Sequence, residues 1–248
     1  MISLLLVLAA QQPFTPTRDY QTRTVRGFEV KIHPNLEADQ AQRKLMLNML
    51  DEKLAEIEKL IPEEPFKKLK TTKIWLDKES KSCVAATYHP SAQWLKEHGF
   101  NPDMEKGVEL GNAKNVLEWS ALIQPFMVLH ELAHAYHHQH LGFDDESVIA
   151  AFEAAKKSGK YAEVEKVPSG WGRHYGLTNE KEFFAETTEA YFGKNDFQPF
   201  DRKGLKDFDP GAYEMIEKAW GVKPSRVTRS RTLRSNVRTY PSTQVPSP

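Results

Sequence analysis

The stretch Val128-Leu129-His130-Glu131-Leu132-Ala133-His134-Ala135-Tyr136-His137-His138 sets H-E-x-x-H inside an apolar run. On a helix turning about 100° per residue, His130 and His134 project about 40° apart and one turn apart along the axis. Two imidazoles on one face can hold one metal ion, and the motif is one that binds zinc. Glu131 projects about 60° beyond His134, beside the metal rather than at it, where a general base for a metal-bound water belongs. Met127, Val128, Leu129, Leu132 and Ala133 mark a buried helix, which tolerates two histidines and a glutamate only where something satisfies them. The pair His134 and His138 has the same spacing but sets Ala135 where the base should stand. His137, His138 and His140 read as polar residues of the helix end, suited to its C-terminal dipole when charged.

A zinc site with two histidines needs one more protein ligand and one open position. Downstream, Asn179-Glu180-Lys181-Glu182-Phe183-Phe184-Ala185-Glu186 opens a helix over Glu180–Phe192 on which Glu180, Glu182, Glu186 and Glu189 crowd together. Glu182 and Glu186 are four apart and share a face. One can bind the metal while the other takes the free N–H of a ligand histidine and fixes its tautomer. Glu180 has Phe184 where such a partner would be. The expectation is therefore Glu182 as third ligand, with Glu186 hydrogen-bonded behind it. Phe183, Phe184, Ala185 and Tyr191 mark this helix as packed.

Outward from these two helices, the pattern is strand, helix, strand. Residues 28–33 alternate apolar and polar and end at Pro34. Asn35 is placed as the cap of a long helix whose Met46, Leu50, Leu54, Ile57 and Ile61 form one buried stripe, ended by Pro62 and Pro65. Residues 72–77 form a second strand. Residues 78–105 read as loop, where Tyr88, His89 and Trp94 are either cleft-lining residues or ordinary loop anchors. Residues 106–110 form a short strand before the turn Gly111-Asn112, a helix starts within 118–124, and Pro125 falls early in the H-E-x-x-H helix, which runs to Leu141 and Gly142. Helices follow over 144–157, Glu180–Phe192 and 209–220, with a glycine-rich loop at 169–176. This is an α+β chain with a small mixed sheet and several helices.

Its 248 residues suit one catalytic-sized domain with appendages, here residues 27–221. Hydrophobic content is 40% and charged content 27%. Basic and acidic residues number 34 each, but Lys223, Arg226, Arg229, Arg231, Arg234 and Arg238 stand in a tail without acids, leaving 28 basic against 34 acidic before it. Nothing in that body points to nucleic acid as a partner. Residues 222–248 read as a disordered Arg, Ser and Pro-rich tail, and 11–26 as a polar linker. Residues 1–10 read as a short signal peptide, which makes the protein secreted or periplasmic; without cleavage and export it is cytoplasmic. No stretch is long enough to span a bilayer. The one cysteine, Cys83, permits no intrachain disulfide and reads as packing rather than as a nucleophile.

Three runs taken together resemble a known family: Lys106-Gly107-Val108-Glu109-Leu110, the H-E-x-x-H at 130–134, and Tyr175-Gly176-x-Thr178-Asn179-Glu180-x-Glu182-Phe183-Phe184-Ala185-Glu186. They are similar to the catalytic domain of the anthrax lethal factor-like zinc metallopeptidases, a gluzincin group, over roughly residues 106–192. The resemblance implies a zincin-like fold, with an active-site helix beneath a small sheet. It implies His130, His134 and Glu182 as Zn2+ ligands, Glu131 as general base, Glu186 behind the ligands, and Tyr175 as the phenol that stabilises the oxyanion. The segment 113–126 departs from the pattern as an insertion, and His137, His138 and His140 have no counterpart in it. The targeting and substrate-docking domains of the toxin are absent.

The expected activity is a zinc-dependent peptidase acting on a peptide or protein substrate, with the strand 107–110 pairing with the substrate backbone as an edge strand does. Two other classes compete. One is a zinc hydrolase for a non-protein amide or a cell-wall peptide cross-link. The other is a non-catalytic zinc-binding module, against which the presence of both Glu131 and Tyr175 argues.

Overall fold

The computed structural model of the chain describes residues 13–168 and 170–222. The expected signal peptide over 1–10 and the tail over 223–248 lie outside the described residues. Within them the protein is α+β, with a five-stranded mixed sheet, a two-stranded ribbon and helices on both sides of the motif. Among the described residues, no helix is long and apolar enough to cross a membrane.

Strands β1 (Gln21–Val25) and β2 (Phe28–Ile32) form a hairpin turned by Arg26 and Gly27, whose φ angles of 48° and 86° suit the right-handed strand twist. β1 lies within the stretch expected to be linker. Its Gln21 to Thr24 are all exposed, so no apolar alternation announced it. β3 (Ile74–Leu76), β4 (Ala86–Tyr88) and β5 (Val108–Leu110) complete the sheet in the order β1-β2-β3-β5-β4. β2, β3 and β5 run parallel, and β4 pairs antiparallel to β5. The strand expected at the edge is therefore interior, between β3 and β4, with all three of its residues buried. The edge belongs to β4, three residues inside a stretch that reads as loop.

Alternation along the strands separates two layers. Val30, Ile32, Ile74, Leu76, Val108 and Leu110 face the main core. Trp75 turns to the other face, under Tyr20, Leu95 and Met104. On the core side lie α1 (Pro34–Glu37), α2 (Gln40–Leu60) and α3 (Glu63–Leu69). Met46, Leu50, Leu54 and Ile57 of α2 are buried, as their spacing predicts. The cap of α2 is Asp39, which accepts the Gln42 N–H at 3.1 Å. Asn35 sits in α1 and hydrogen-bonds Asp77 at 2.8 Å instead. Pro65 falls in the first turn of α3, where a missing N–H costs nothing. Then come α4 (Ala92–Glu97), α5 (Ala113–Leu122), α6 (Met127–Tyr136) and α7 (Glu146–Ser158). The ribbon β6 (Val164–Glu165) and β7 (Trp171–Gly172) precedes α8 (Glu180–Phe192), α9 (Arg202–Phe208) and α10 (Pro210–Ala219). The helix α6 continues as a π-helical turn, His137–Leu141, closed by Gly142 at φ 93°. Both α8 and β4 pack against α6. Those two contacts build the site.

Candidate metal centre

Helix α8 begins where Asn179 caps it. Its Oδ1 accepts the N–H groups of Lys181 and Glu182, both at 2.9 Å, which fixes the backbone that carries Glu182. Phe183, Phe184 and Ala185 are fully buried and seat the helix on Leu129, Leu132 and Ala133 of α6 within one core. The polar residues left on the facing surfaces are His130 and His134 from α6 and Glu182, Glu186 and Glu189 from α8.

Glu182 Oε2 lies 3.1 Å from His130 Nε2 and 3.3 Å from His134 Nε2. The three atoms are within 4.8 Å of one another. The other nitrogen of His130, Nδ1, is 2.7 Å from Glu189 Oε1. A carboxylate accepts, so the proton between them sits on Nδ1. The other nitrogen, Nε2, faces another carboxylate oxygen, and His134 brings a second ring nitrogen to the same oxygen. Three such groups aimed at one another share a cation: a proton on the rings where no metal is bound, or a metal ion that displaces it. Tetrahedral zinc with bonds of about 2.0–2.1 Å sets its ligand atoms about 3.3–3.4 Å apart. The spacings to Glu182, 3.1 and 3.3 Å, lie close to that value, so the donor set fits zinc.

Protonation follows the same logic. Burial opposes charge on His130, but the hydrogen bonds to Glu182 and Glu189 outweigh it and hold its pKa well above the ordinary histidine value. Burial also opposes charge on Glu182, yet the hydrogen bonds from His130 and His134 pull its carboxyl well below the usual range. A carboxylate with such stabilised charge is a ready cation ligand.

The hydrogen bond behind the ligands corrects one expectation. Glu186 stands 3.7 Å from His130 Nδ1, beyond hydrogen-bonding distance, and Glu189 is the partner. Glu189 projects about 20° from Glu182 on a helix and Glu186 about 40°, so either could have faced the ring. In the fold it is Glu189 that meets the ring.

Glu131 is 8% exposed and lies beside the Tyr88 backbone N–H of β4. Burial lifts its carboxyl above the ordinary value, while His130 and His134 work in the opposite direction. Tyr175 is half exposed at the mouth, on the 3-10 turn Tyr175–Leu177. Burial and the nearby Glu182 raise its phenol pKa, which keeps the hydroxyl a donor. Sequence reasoning missed His174, which holds that turn: its Nδ1 accepts the Gly176 N–H at 2.9 Å, and it is 1% exposed. The signal available was a histidine directly before the turn. Gly176 fits closely there: a Cβ would come to 3.0 Å from the His174 ring and 3.3 Å from the Phe183 backbone, tighter than ordinary contact.

The remaining candidates fall elsewhere. Tyr88 lines the cleft, and its hydroxyl meets His138 Nδ1 at 2.9 Å. His89 turns away from the cleft to bond buried Glu109 at 2.7 Å, and Trp94 stacks on His98. Burial pushes the Cys83 thiol up, which makes it a poor nucleophile. His137, His138 and His140 form the helix end, and burial lowers the pKa of all three, His137 to about 4, so they favour the neutral form there.

Two cavities flank the centre, and His130, Glu131 and Tyr175 line both. One, of about 230 Å³, runs beside Thr87, Tyr88, Pro90, Phe143 and Lys181. The other, of about 320 Å³, runs beside Val84, Trp119, Met127 and the acids Glu186 and Glu189. β4 passes over both. In its antiparallel ladder, Ala85, Thr87 and His89 pair with β5 and its flanks, so the backbone groups of Ala86 and Tyr88 turn outward over the centre.

Compared with family models, curated proteins and solved structures, the chain matches none. The chemistry of the site rests on its own residues.

Proposed function

We propose that the protein is a zinc-dependent peptidase with a zincin-like fold. The observation that carries this is the convergence of His130 Nε2, His134 Nε2 and Glu182 Oε2 at zinc-ligand spacing, with Glu131 buried beside them. When bound, zinc supplies Lewis acidity to a water and to the substrate carbonyl. Glu131 accepts the proton of the attacking water and returns it to the leaving amine, a task that suits a carboxyl raised toward neutrality by burial. The Tyr175 hydroxyl donates a hydrogen bond to the oxygen on which charge develops. Glu189 keeps the proton on His130 Nδ1 and so leaves Nε2 free as a ligand. An extended substrate joins the sheet at β4, through the outward backbone groups of Ala86 and the carbonyl of Tyr88, whose N–H faces Glu131. A purely structural zinc site needs neither a buried acid next to its ligands nor an open strand edge above them.

The test is metal analysis together with peptide-library cleavage, on wild type and Glu131→Gln in parallel. Both proteins should hold stoichiometric zinc, and only the wild type should cleave. A wild type that binds no zinc, or a variant that loses it, refutes the assignment.

A further inference from the structure

The two cavities beside the centre differ in charge. The 230 Å³ cavity includes Lys181 in its wall, whereas no lysine or arginine lines the 320 Å³ one. Val84, at the mouth of the latter, is 66% exposed, and Trp119 and Met127 continue the apolar wall inward. Besides His130, Glu131 and Tyr175, which it shares with the other cavity, Gln124, Glu186 and Glu189 supply its polar lining, Glu186 and Glu189 being 2% and 3% exposed. Glu189 is engaged with His130. Glu186 is not engaged: its Oε2 is buried without a hydrogen-bond partner among the described residues. The nearest ring nitrogen, His174 Nδ1 at 4.0 Å, already accepts the Gly176 N–H and has no proton to give. Asn195 Nδ2 donates to the Glu186 backbone carbonyl at 3.0 Å. A buried acceptor left unsatisfied is costly, and a ligand donor in this cavity would remove that cost.

We propose that this cavity is a specificity pocket for a lysine or arginine side chain of the substrate, its aliphatic stem against Trp119 and Met127 and its cationic head on Glu186. Amphipathic side chains suit a pocket that is apolar at the wall and acidic at the floor. The direction of β4 assigns the position. Val84 to Ala86 border this cavity and Ala86 to Tyr88 the other. Antiparallel pairing is the more stable per residue, so the substrate runs from the Tyr88 end toward the Val84 end. The pocket then takes the residue immediately after the scissile bond. A substrate amino terminus cannot reach it in that direction, and a terminal carboxylate would meet two acids.

This inference rests on the peptidase reading, and one experiment separates the two. The zinc-loaded full-length protein is given a peptide library randomised on both sides of the cleaved bond, and products are sequenced by mass spectrometry. Lysine or arginine should be favoured over leucine about tenfold or more directly after the bond. Within each variant, that ratio should fall to about threefold or less in Glu186→Gln. It should invert toward acidic residues in Gln124→Lys, a change at a half-buried loop position that keeps the test alive if the first variant misfolds. Cleavage without the preference, the preference on the other side of the bond, or a preference surviving both substitutions overturns the pocket and leaves the peptidase standing. No cleavage at all by the zinc-loaded wild type overturns both.

Discussion

His130 and His137 lie seven residues apart on one helical path and project onto nearly the same face, yet their surroundings are opposites. Both nitrogens of His130 meet carboxylates, Glu182 at 3.1 Å and Glu189 at 2.7 Å. His137 is fully buried between Phe143 and Phe184, and neither of its nitrogens has a partner among the described residues. What separates them is the opposing helix, which presents Glu182 and Glu189 to the first turn and Phe184 to the next. Spacing along one helix nominates histidines; the helix across from it decides which of them meet carboxylates.

The sharpest way to break the comparison is at Glu131, the buried acid beside the histidines of the first turn and the proposed general base. Glu131→Gln should lower kcat by about 10³–10⁴-fold, the upper range for a general acid–base. Zinc content, read by atomic emission, should be unchanged. Next is Tyr175→Phe, which removes one donor to the oxyanion and should cost about 10²–10³-fold in kcat with little change in KM. A rise in KM at constant kcat would instead make Tyr175 a substrate-binding group.

The third test addresses the carboxylates of α8. Glu189→Gln should weaken zinc affinity about 10- to 100-fold, the usual effect of losing the partner that orients a ligand histidine. Competition with a chromophoric chelator measures it. Glu186→Gln should fall well short of that loss. The reverse order would restore Glu186 as the residue that holds the ring.

How far these roles could be read from residues alone follows from their range. The stripe Met46, Leu50, Leu54 and Ile57 and the cap Asn179 act within a turn or two, and both are found where the spacing puts them. That His130 and His134 share one face was legible from their four-residue spacing; Glu182 does meet both rings, although the Glu186 pairing that singled it out is not the one formed. Glu189 was hidden because its partnership depends on how α8 slides along α6, which no local pattern encodes. β4 is three residues long, too short to show alternation, and it is an edge only because β5 already has β3 on its other side. The helix α9 was missed as well: its only buried residue is Leu205, so it has no stripe to detect.

The smallest expected effect lies at His137 and concerns stability rather than turnover. Burial lowers its pKa from 6.5 to about 4. The unfolded chain therefore takes up a proton as pH falls below about 6.5, while the folded protein does so only near 4. The contribution of a neutral, buried His137 is fully present above pH 6.5 and is lost as pH falls through 4, by about 3 kcal/mol for a shift of this size. His137→Phe keeps a ring against Phe143 and Phe184 and removes two unpartnered nitrogens, so it should flatten this acid loss. Urea unfolding at pH 7, 5 and 4, on protein stripped of metal with a chelator, compares the slopes without interference from the ligand histidines. Zinc content at pH 7 should match the wild type. A variant that loses stability with acid as steeply as the wild type would show that His137 accepts its proton in the folded state, and the contrast with His130 would then disappear.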